Sequence, residues 1–156
     1  MSVNPVPEGY RSVIPYLVVD DGAAAIDFYV EVFGATEVMR MDKEGKVGHA
    51  ELAIGDSHIM LSDEHPDMGY LSPKSIGGKG LGSGIMVYLP DVDAAFARAT
   101  AAGGTAERQV EDQFYGDRSG TFVDPFGHRW IVATHIEDVA PEEMERRMAE
   151  MEPQAG

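Results

Sequence analysis

Displacing the sequence against itself by 70 positions sets Asp21 on Asp91, Ala24-Ala25 on Ala94-Ala95, Ile26 on Phe96 and Gly34 on Gly104. A duplication of this kind constrains the fold more than any other feature, because each copy is too small to bury a full core by itself. Both copies read as an apolar strand (13–19 and 85–89), an acidic helix start, a short helix ended by glycine, and then three further strands.

In the first helix Ala25, Ile26, Tyr29, Val32 and Phe33 recur at helical spacing, and Gly34 supplies the left-handed residue that ends it. Val92, Ala95, Phe96 and Ala99 do the same ahead of Gly103-Gly104. One apolar stripe per helix means that each helix covers one face of a sheet. The expected strands are 35–41, 47–54 and 57–62 in the first copy, and 105–110, 117–124 and 128–136 in the second. The predicted fold class is therefore α+β: two tandem βαβββ modules, 11–62 and 84–137, forming a curved mixed sheet around a cleft. The connector 63–83, rich in Gly, Ser, Pro and Asp, is expected to be a flexible flap or ligand-covering loop. Its Gly77–Gly84 run precedes a strand, whereas phosphate-cradling glycines open a helix, so it does not read as a nucleotide site. The tail 138–156 is expected to be helical from Pro141, with Met144, Met148 and Met151 on one stripe that docks on this chain or on a second copy.

Turn chemistry then assigns faces. A two-residue turn at Gly55-Asp56 pairs Ile54 with Ser57, Ala53 with His58, Glu51 with Met60 and His49 with Ser62. Ala50, Leu52, Ile54, Ile59 and Leu61 lie toward the helix, leaving His49, Glu51, His58, Met60 and Ser62 on the other face. In the second copy the same reasoning sends Thr121, Val123, Trp130 and Val132 under the helix and leaves Arg118, Phe122, Arg129, Ile131, Ala133 and His135 opposite. The leading strands add Ile14, Tyr16 and Val18, and Met86 and Tyr88. These sets are expected to line a shared hollow for a small molecule; the alternative is the wet side of an antiparallel sheet.

Composition removes other classes. With 12 basic against 27 acidic residues the formal charge is −15, so nucleic acid and anionic membrane surfaces are repelled. The absence of cysteine excludes disulfides and thiolate chemistry. No segment approaches the ~20 apolar residues of a membrane span, residues 1–9 lack a secretory pattern, and the expected location is the cytoplasm.

The residues also resemble a known superfamily, the vicinal oxygen chelate proteins, which include glyoxalase I, extradiol dioxygenases, and fosfomycin and bleomycin resistance proteins. The resemblance rests on Ile14-Pro15-Tyr16-Leu17, Ala24-Ala25-Ile26-Asp27-Phe28-Tyr29, Phe33-Gly34-Ala35, Asp91-Val92-Asp93-Ala94-Ala95-Phe96, Tyr115-Gly116-Asp117-Arg118 and Asp124-Pro125-Phe126-Gly127-His128-Arg129-Trp130. It covers roughly residues 11–137 and is similar to the uncharacterised glyoxalase-like branch. The resemblance implies metal-ligand positions at Ile14, Met60, Gly84 and Ile131. None of these residues suits a hard or borderline divalent ion, so the expectation is a metal-free site like that of the bleomycin-resistance branch.

The expected function is thus binding of a small anionic or aromatic ligand without a cofactor. Tyr16, Met60, Met86, Tyr88, Phe122 and Ile131 would form its walls, and His49, Glu51, His58, Arg118 and Arg129 would orient it. Two guanidinium groups on one wall would attract an anionic group; the alternative is pairing with Asp117 or Asp124. The competing reading is a glyoxalase-like lyase, isomerase or dioxygenase with a divalent metal relocated to His49, Glu51 and His58, or acid–base chemistry through Glu51 and His58. Trp130 is read as core, and His65 and His128 as surface. The resemblance further implies a homodimer whose second chain completes the cleft.

Overall fold

The computed structural model describes residues 2–78 and 82–151; Lys79, Gly80 and Leu81 of the glycine-rich run, and tail residues 152–156, lie outside the described residues. The first module comprises β1 (Tyr16–Val19), α1 (Gly22–Phe33), β2 (Thr36–Lys43), β3 (Lys46–Ile54) and β4 (Ser57–Asp63). The second comprises β5 (Ile85–Tyr88), α2 (Val92–Ala101), β6 (Thr105–Asp112), β7 (Asp117–Val123) and β8 (Arg129–His135), and α3 (Pro141–Met151) follows. Each module forms its own four-stranded mixed sheet, in the orders β1-β4-β3-β2 and β5-β8-β7-β6. The fold is α+β, built from two tandem βαβββ modules whose sheets are not closed into a barrel. Because the first two strands of each module sit at opposite edges, the helix between them must cross the whole sheet, which is what its apolar stripe requires.

The punctuation repeated in the sequence is helix-capping chemistry. The Asp21 carboxylate accepts from the Ala24 amide at 3.0 Å and Asp91 accepts from Ala94 at the same distance, each satisfying a first-turn N–H that has no helical partner. Gly34 ends α1 with φ of 65°, a left-handed conformation that costs a residue with a side chain.

Both modules share one core. Leu17, Val19, Ala50, Leu52, Ile59 and Leu61 of the first sheet are contiguous with Phe122, Trp130 and Val132 of the second, through the stripes of both helices. Helix α1 serves both sheets. Its Phe33 ring lies 4.6 Å from Trp130, Tyr29 lies 5.2 Å from Trp130, and Phe28 meets Phe122 edge-on at 6.2 Å. An α1 that already covers its own sheet can reach β7 and β8 only if the second sheet closes on it from the other side, so the helices lie between the two sheets. Trp130, Tyr29 and Phe122 are fully buried. Each such ring removes about 150–250 Å² from water, roughly 4–6 kcal/mol as an upper bound.

The register of the first module is the expected one: Ile54 pairs with Ser57, Ala53 with His58 and Glu51 with Met60. The second differs by one residue. Val123 pairs with Arg129, Phe122 with Trp130, Gly120 with Val132 and Arg118 with Thr134, because the connection is a five-residue loop, 124–128, and not a four-residue turn. The carboxylate of Asp124 holds that loop by accepting from the amides of Phe126 and His128, both at 2.9 Å. A shift of one residue moves every side chain of β7 to the other face. Phe122 is therefore core and not a cavity wall, and Arg118 points to the helix side, while Thr121 and Val123 take the polar face.

The tail is helical from Pro141, as expected, and its methionine stripe does not dock on this chain. Met148 and Met151 are exposed, and no α3 residue is buried. The helix is held by Arg147, which donates to the Phe114 carbonyl at 3.1 Å and to Glu137 at 2.7 Å.

Candidate functional site

Pairing across β1, β4 and β3 puts Tyr16, Met60 and Glu51 in one row on the outward face of the first sheet, flanked by His58 and Val18. Strand β2 adds Met39 opposite Glu51 and Met41 opposite His49. The polar groups form a continuous chain. The Tyr16 hydroxyl donates to His49 Nδ1 at 3.0 Å, and His49 Nε2 donates to Glu51 Oε1 at 3.1 Å. Tyr10, from the segment before β1, donates its hydroxyl to the other Glu51 oxygen. Since an ionised carboxylate only accepts, these partners place the His49 proton on Nε2.

Glu51 is buried, at 9% exposure. Its carboxyl is nevertheless held below the usual carboxylate range, first by the Tyr10 hydroxyl, then by His49, with burial acting in the opposite sense. The Tyr10 phenol is correspondingly raised by the same hydrogen bond. The Tyr10 ring stacks on His58 at 4.4 Å with 21° between planes, and His58 Nδ1 is buried and has no hydrogen-bond partner among the described residues.

The second sheet repeats the geometry with different residues. Met86 pairs with Ile131 and Ile131 with Thr121, as Tyr16 does with Met60 and Glu51, so Thr121 and Ser119 occupy the places of Glu51 and His49, and Tyr88 that of Val18. The Tyr88 hydroxyl donates to Asp117 Oδ2 at 2.7 Å. His135 donates from Nδ1 to Asp117 at 2.7 Å and from Nε2 to Asp138 at 2.8 Å, and Asp138 and then Asp117 raise its pKa. Met86, Ile131, Thr121 and Arg129 share this face. Arg129 makes a two-pronged ion pair with Glu107 at 2.7 and 3.0 Å.

The expected single hollow is divided. One of about 600 Å³ lies on the first face, lined by Tyr16, Val18, Ser62, His65, Met68 and Tyr70. Another of about 520 Å³ lies on the second face, between Arg108, Gln113, Tyr115, Ser119, Arg129 and Ile131. The two sets meet at their margins in a third, of about 400 Å³, bounded by Val13, His58, Ile59, Met86 and Tyr88. His65 thus lines a hollow, and His128 Nε2 meets the Val18 carbonyl at 3.0 Å, bridging the modules; neither is simply surface. Arg118 is paired with Asp93 at 2.8 and 2.9 Å and with Asp112 at 3.0 Å, away from both faces.

Tyr10, Asp117, Tyr70, Met39 and Met41 were not found by sequence reasoning. Tyr10 precedes any periodic segment and carries no signal. Asp117 showed only as a neighbour of Arg118. The two methionines could have been placed by pairing β2 with β3, but irregularities at Glu37/Met39 and Met41/Asp42 break the alternation.

The superfamily's ligand positions, Ile14, Met60, Gly84 and Ile131, offer one thioether sulfur and no nitrogen or oxygen side-chain donor, a set that does not fit a divalent metal. Gly84 faces Ile131 and Arg129, so the second module's pair is an apolar corner. At the relocated trio, His49 and Glu51 are bonded to each other while His58 lies against Tyr10. Among the described residues no three His, Asp or Glu side chains converge as a metal-holding group.

Comparison with known proteins agrees with this architecture. Residues 12–132 match the family model described as the glyoxalase/bleomycin resistance protein/dioxygenase superfamily. The chain is 40% identical over 153 residues to the uncharacterised protein Mb0911c of Mycobacterium bovis, covering 96% of this chain and 97% of that one. Among solved structures it is similar to TioX from Micromonospora sp. ML1, with TM-score 0.61 and 28% identity over 81% of this chain and 99% of that one. The Arabidopsis thaliana gene product At5g48480 is similar at TM-score 0.62 and 28% identity, over 80% and 98% of the two chains. The tandem modules, the aromatic core that joins them and these matches together show that the chain belongs to the glyoxalase/bleomycin resistance protein/dioxygenase superfamily.

Proposed function

We propose that this protein binds a small aromatic or anionic molecule on the outward face of its first module, without a metal and without making or breaking a bond. The observation that carries the reading is the hollow of about 600 Å³ walled by Tyr16, Met68 and Tyr70. Its size is that of a small-molecule site, and it is apolar with few polar groups. The Tyr16–His49–Glu51 chain beside it supplies those groups in fixed orientation. Tyr10 and His49 occupy both Glu51 oxygens and hold its carboxyl below the usual carboxylate range, which supports an orienting role over proton transfer. The exposed apolar groups on both faces, Tyr16, Met39 and Met41 on one and Met86 and Tyr88 on the other, support closure of the site by a second copy.

A panel of aromatic carboxylic acids and glycopeptides, screened by thermal unfolding, tests the reading. A ligand at 100 times its Kd stabilises by about 2.7 kcal/mol, or roughly 5–10 °C for a chain of this length. Tyr16→Ala and Tyr70→Ala are expected to remove most of that shift. No shift across the panel, or a shift indifferent to both substitutions, overturns it. Light scattering on the eluted protein is expected to give twice the monomer mass.

A further inference from the structure

Residues 2–15, ahead of β1, have no regular secondary structure, yet one of their side chains is docked in the polar face. Tyr10 lies flat on His58, 4.4 Å between ring centroids, and gives its hydroxyl proton to Glu51. The acceptor is prepared for it, because His49 fixes the other Glu51 oxygen and Tyr16 fixes His49. The segment's other ties among the described residues are a short turn of the Tyr10 amide onto the Pro7 carbonyl, an ion pair of Arg11 with Asp56 whose two side chains are 63% and 80% exposed, and, next to β1, the Pro15 carbonyl accepting from the Met60 amide at 2.9 Å.

We infer that the floor formed by Glu51 and His58 is a phenol-binding subsite, and that Tyr10 is a removable internal occupant of it. The ligand class that follows is a flat ring bearing a hydroxyl donor. This deepens the binding function proposed above and rests on it for the claim that the face serves a ligand at all.

Three features argue for a subsite over simple packing. The flat partner and the oriented carboxylate together are complementary to a phenol, whereas an aliphatic side chain would satisfy neither. The His58 Nδ1 atom is buried and unmet by Tyr10, so the occupant leaves one polar group of the floor unused. The floor also adjoins the hollow lined by Val13, His58, Met86 and Tyr88, which gives a displaced ring or an incoming ligand somewhere to extend.

An occupant carried on the same chain competes as an intramolecular ligand, at an effective concentration on the order of millimolar. Removing it exposes the subsite. Tyr10→Ala is therefore expected to bind p-cresol, the tyrosine side-chain analogue, at least ~10-fold more tightly than the wild type, followed by the NMR shifts of the His58 and His49 rings. Toluene, which lacks the donor, is expected to bind Tyr10→Ala more weakly than p-cresol, and adding Glu51→Gln is expected to erase that preference. Equal affinity of the wild type and Tyr10→Ala for p-cresol overturns the inference, as does no binding by a Tyr10→Ala protein that melts cooperatively. Should Tyr10→Ala fail to fold, Tyr10→Phe keeps the stack and frees Glu51; p-cresol must then bind it more tightly than the wild type, or the inference falls. The aromatic-acid panel reads a different hollow, lined by Tyr16 and Tyr70. A silent panel beside a p-cresol-binding Tyr10→Ala sinks the wider function alone, and the reverse sinks only the internal occupant.

Discussion

The Tyr29 hydroxyl donates to Asp124 Oδ2 at 2.6 Å, a bond between residues 95 positions apart that ties the helix of the first module to the loop of the second. Trp130 Nε1 donates to the same oxygen at 2.8 Å, while the other oxygen holds the Phe126 and His128 amides. Burial first, and then the Asp124 charge, raise the Tyr29 phenol well above its ordinary pKa, so it remains a donor. Tyr29→Phe removes one bond to a charged group and is expected to cost about 1.5–3 kcal/mol in urea unfolding. Asp124→Ala strands four donors and is expected to cost more, about 3–5 kcal/mol. A loss below that of Tyr29→Phe would show that Asp124 does not organise the loop.

Among the described glycines, Gly116 leaves the least room for a side chain. Its φ is 99°, and a Cβ there would lie 2.0 Å from the Glu137 carbonyl oxygen, on the segment that leads into α3. Its own carbonyl accepts from the Ile136 and Glu137 amides, so neither side can retreat without losing those bonds. Gly116→Ala is expected to lower stability by about 2–4 kcal/mol through overpacking and backbone strain together. Limited proteolysis should show earlier cleavage between β8 and α3 in the variant.

The two arginines singled out from the sequence now predict opposite results. Arg129 stands on the second outward face beside Ile131 and Thr121, whereas Arg118 braces Asp93 at the start of α2. Titration with aromatic carboxylates, followed by NMR, is expected to show Arg118→Ala binding as the wild type does. Any ligand that reaches the second face is expected to weaken by roughly 10-fold in Arg129→Ala. Equal losses in both variants would refute the register described for β7.

His135 contributes a pH dependence on the alkaline side of its ordinary range. Asp138 first, and Asp117 second, raise its pKa above the ordinary value near 6.5. A histidine raised on folding contributes stability that is fully present below about pH 6.5 and disappears as the pH climbs through the raised folded value. The Tm difference between the wild type and His135→Gln is therefore expected to be largest in mildly acidic buffer and to shrink on the alkaline side. A difference that grows with pH would contradict the two-carboxylate arrangement.

The first face was legible in the sequence because its turn is. Gly55, at φ of 56°, makes a two-residue connection that leaves one register for β3 and β4, and with it the company of His49, Glu51, His58 and Met60. The second face was not, since Asp124-Pro125-Phe126-Gly127 reads as a four-residue turn from composition alone. The fifth loop residue, His128, is included because the Asp124 carboxylate accepts from its amide and the Asp124 amide donates to its carbonyl, and the resulting register carries Phe122 into the core and Arg118 away from the outward face.

What the sequence determined by itself is what neighbouring residues settle among themselves: two modules, the Asp21 and Asp91 caps, the glycine stop at Gly34, the apolar stripes, and one hairpin register. These rest on contacts a few positions apart and on backbone preferences that travel with the residue. The tertiary structure alone decided which apolar surface each stripe would meet. Burial is non-directional, so the stripe of α1 does not announce that Tyr29 and Phe33 will close on Trp130, placing both helices between the sheets and dividing the expected cleft into separate hollows. Tyr10 on Glu51, like Tyr29 on Asp124, is a pairing that only folding brings within reach.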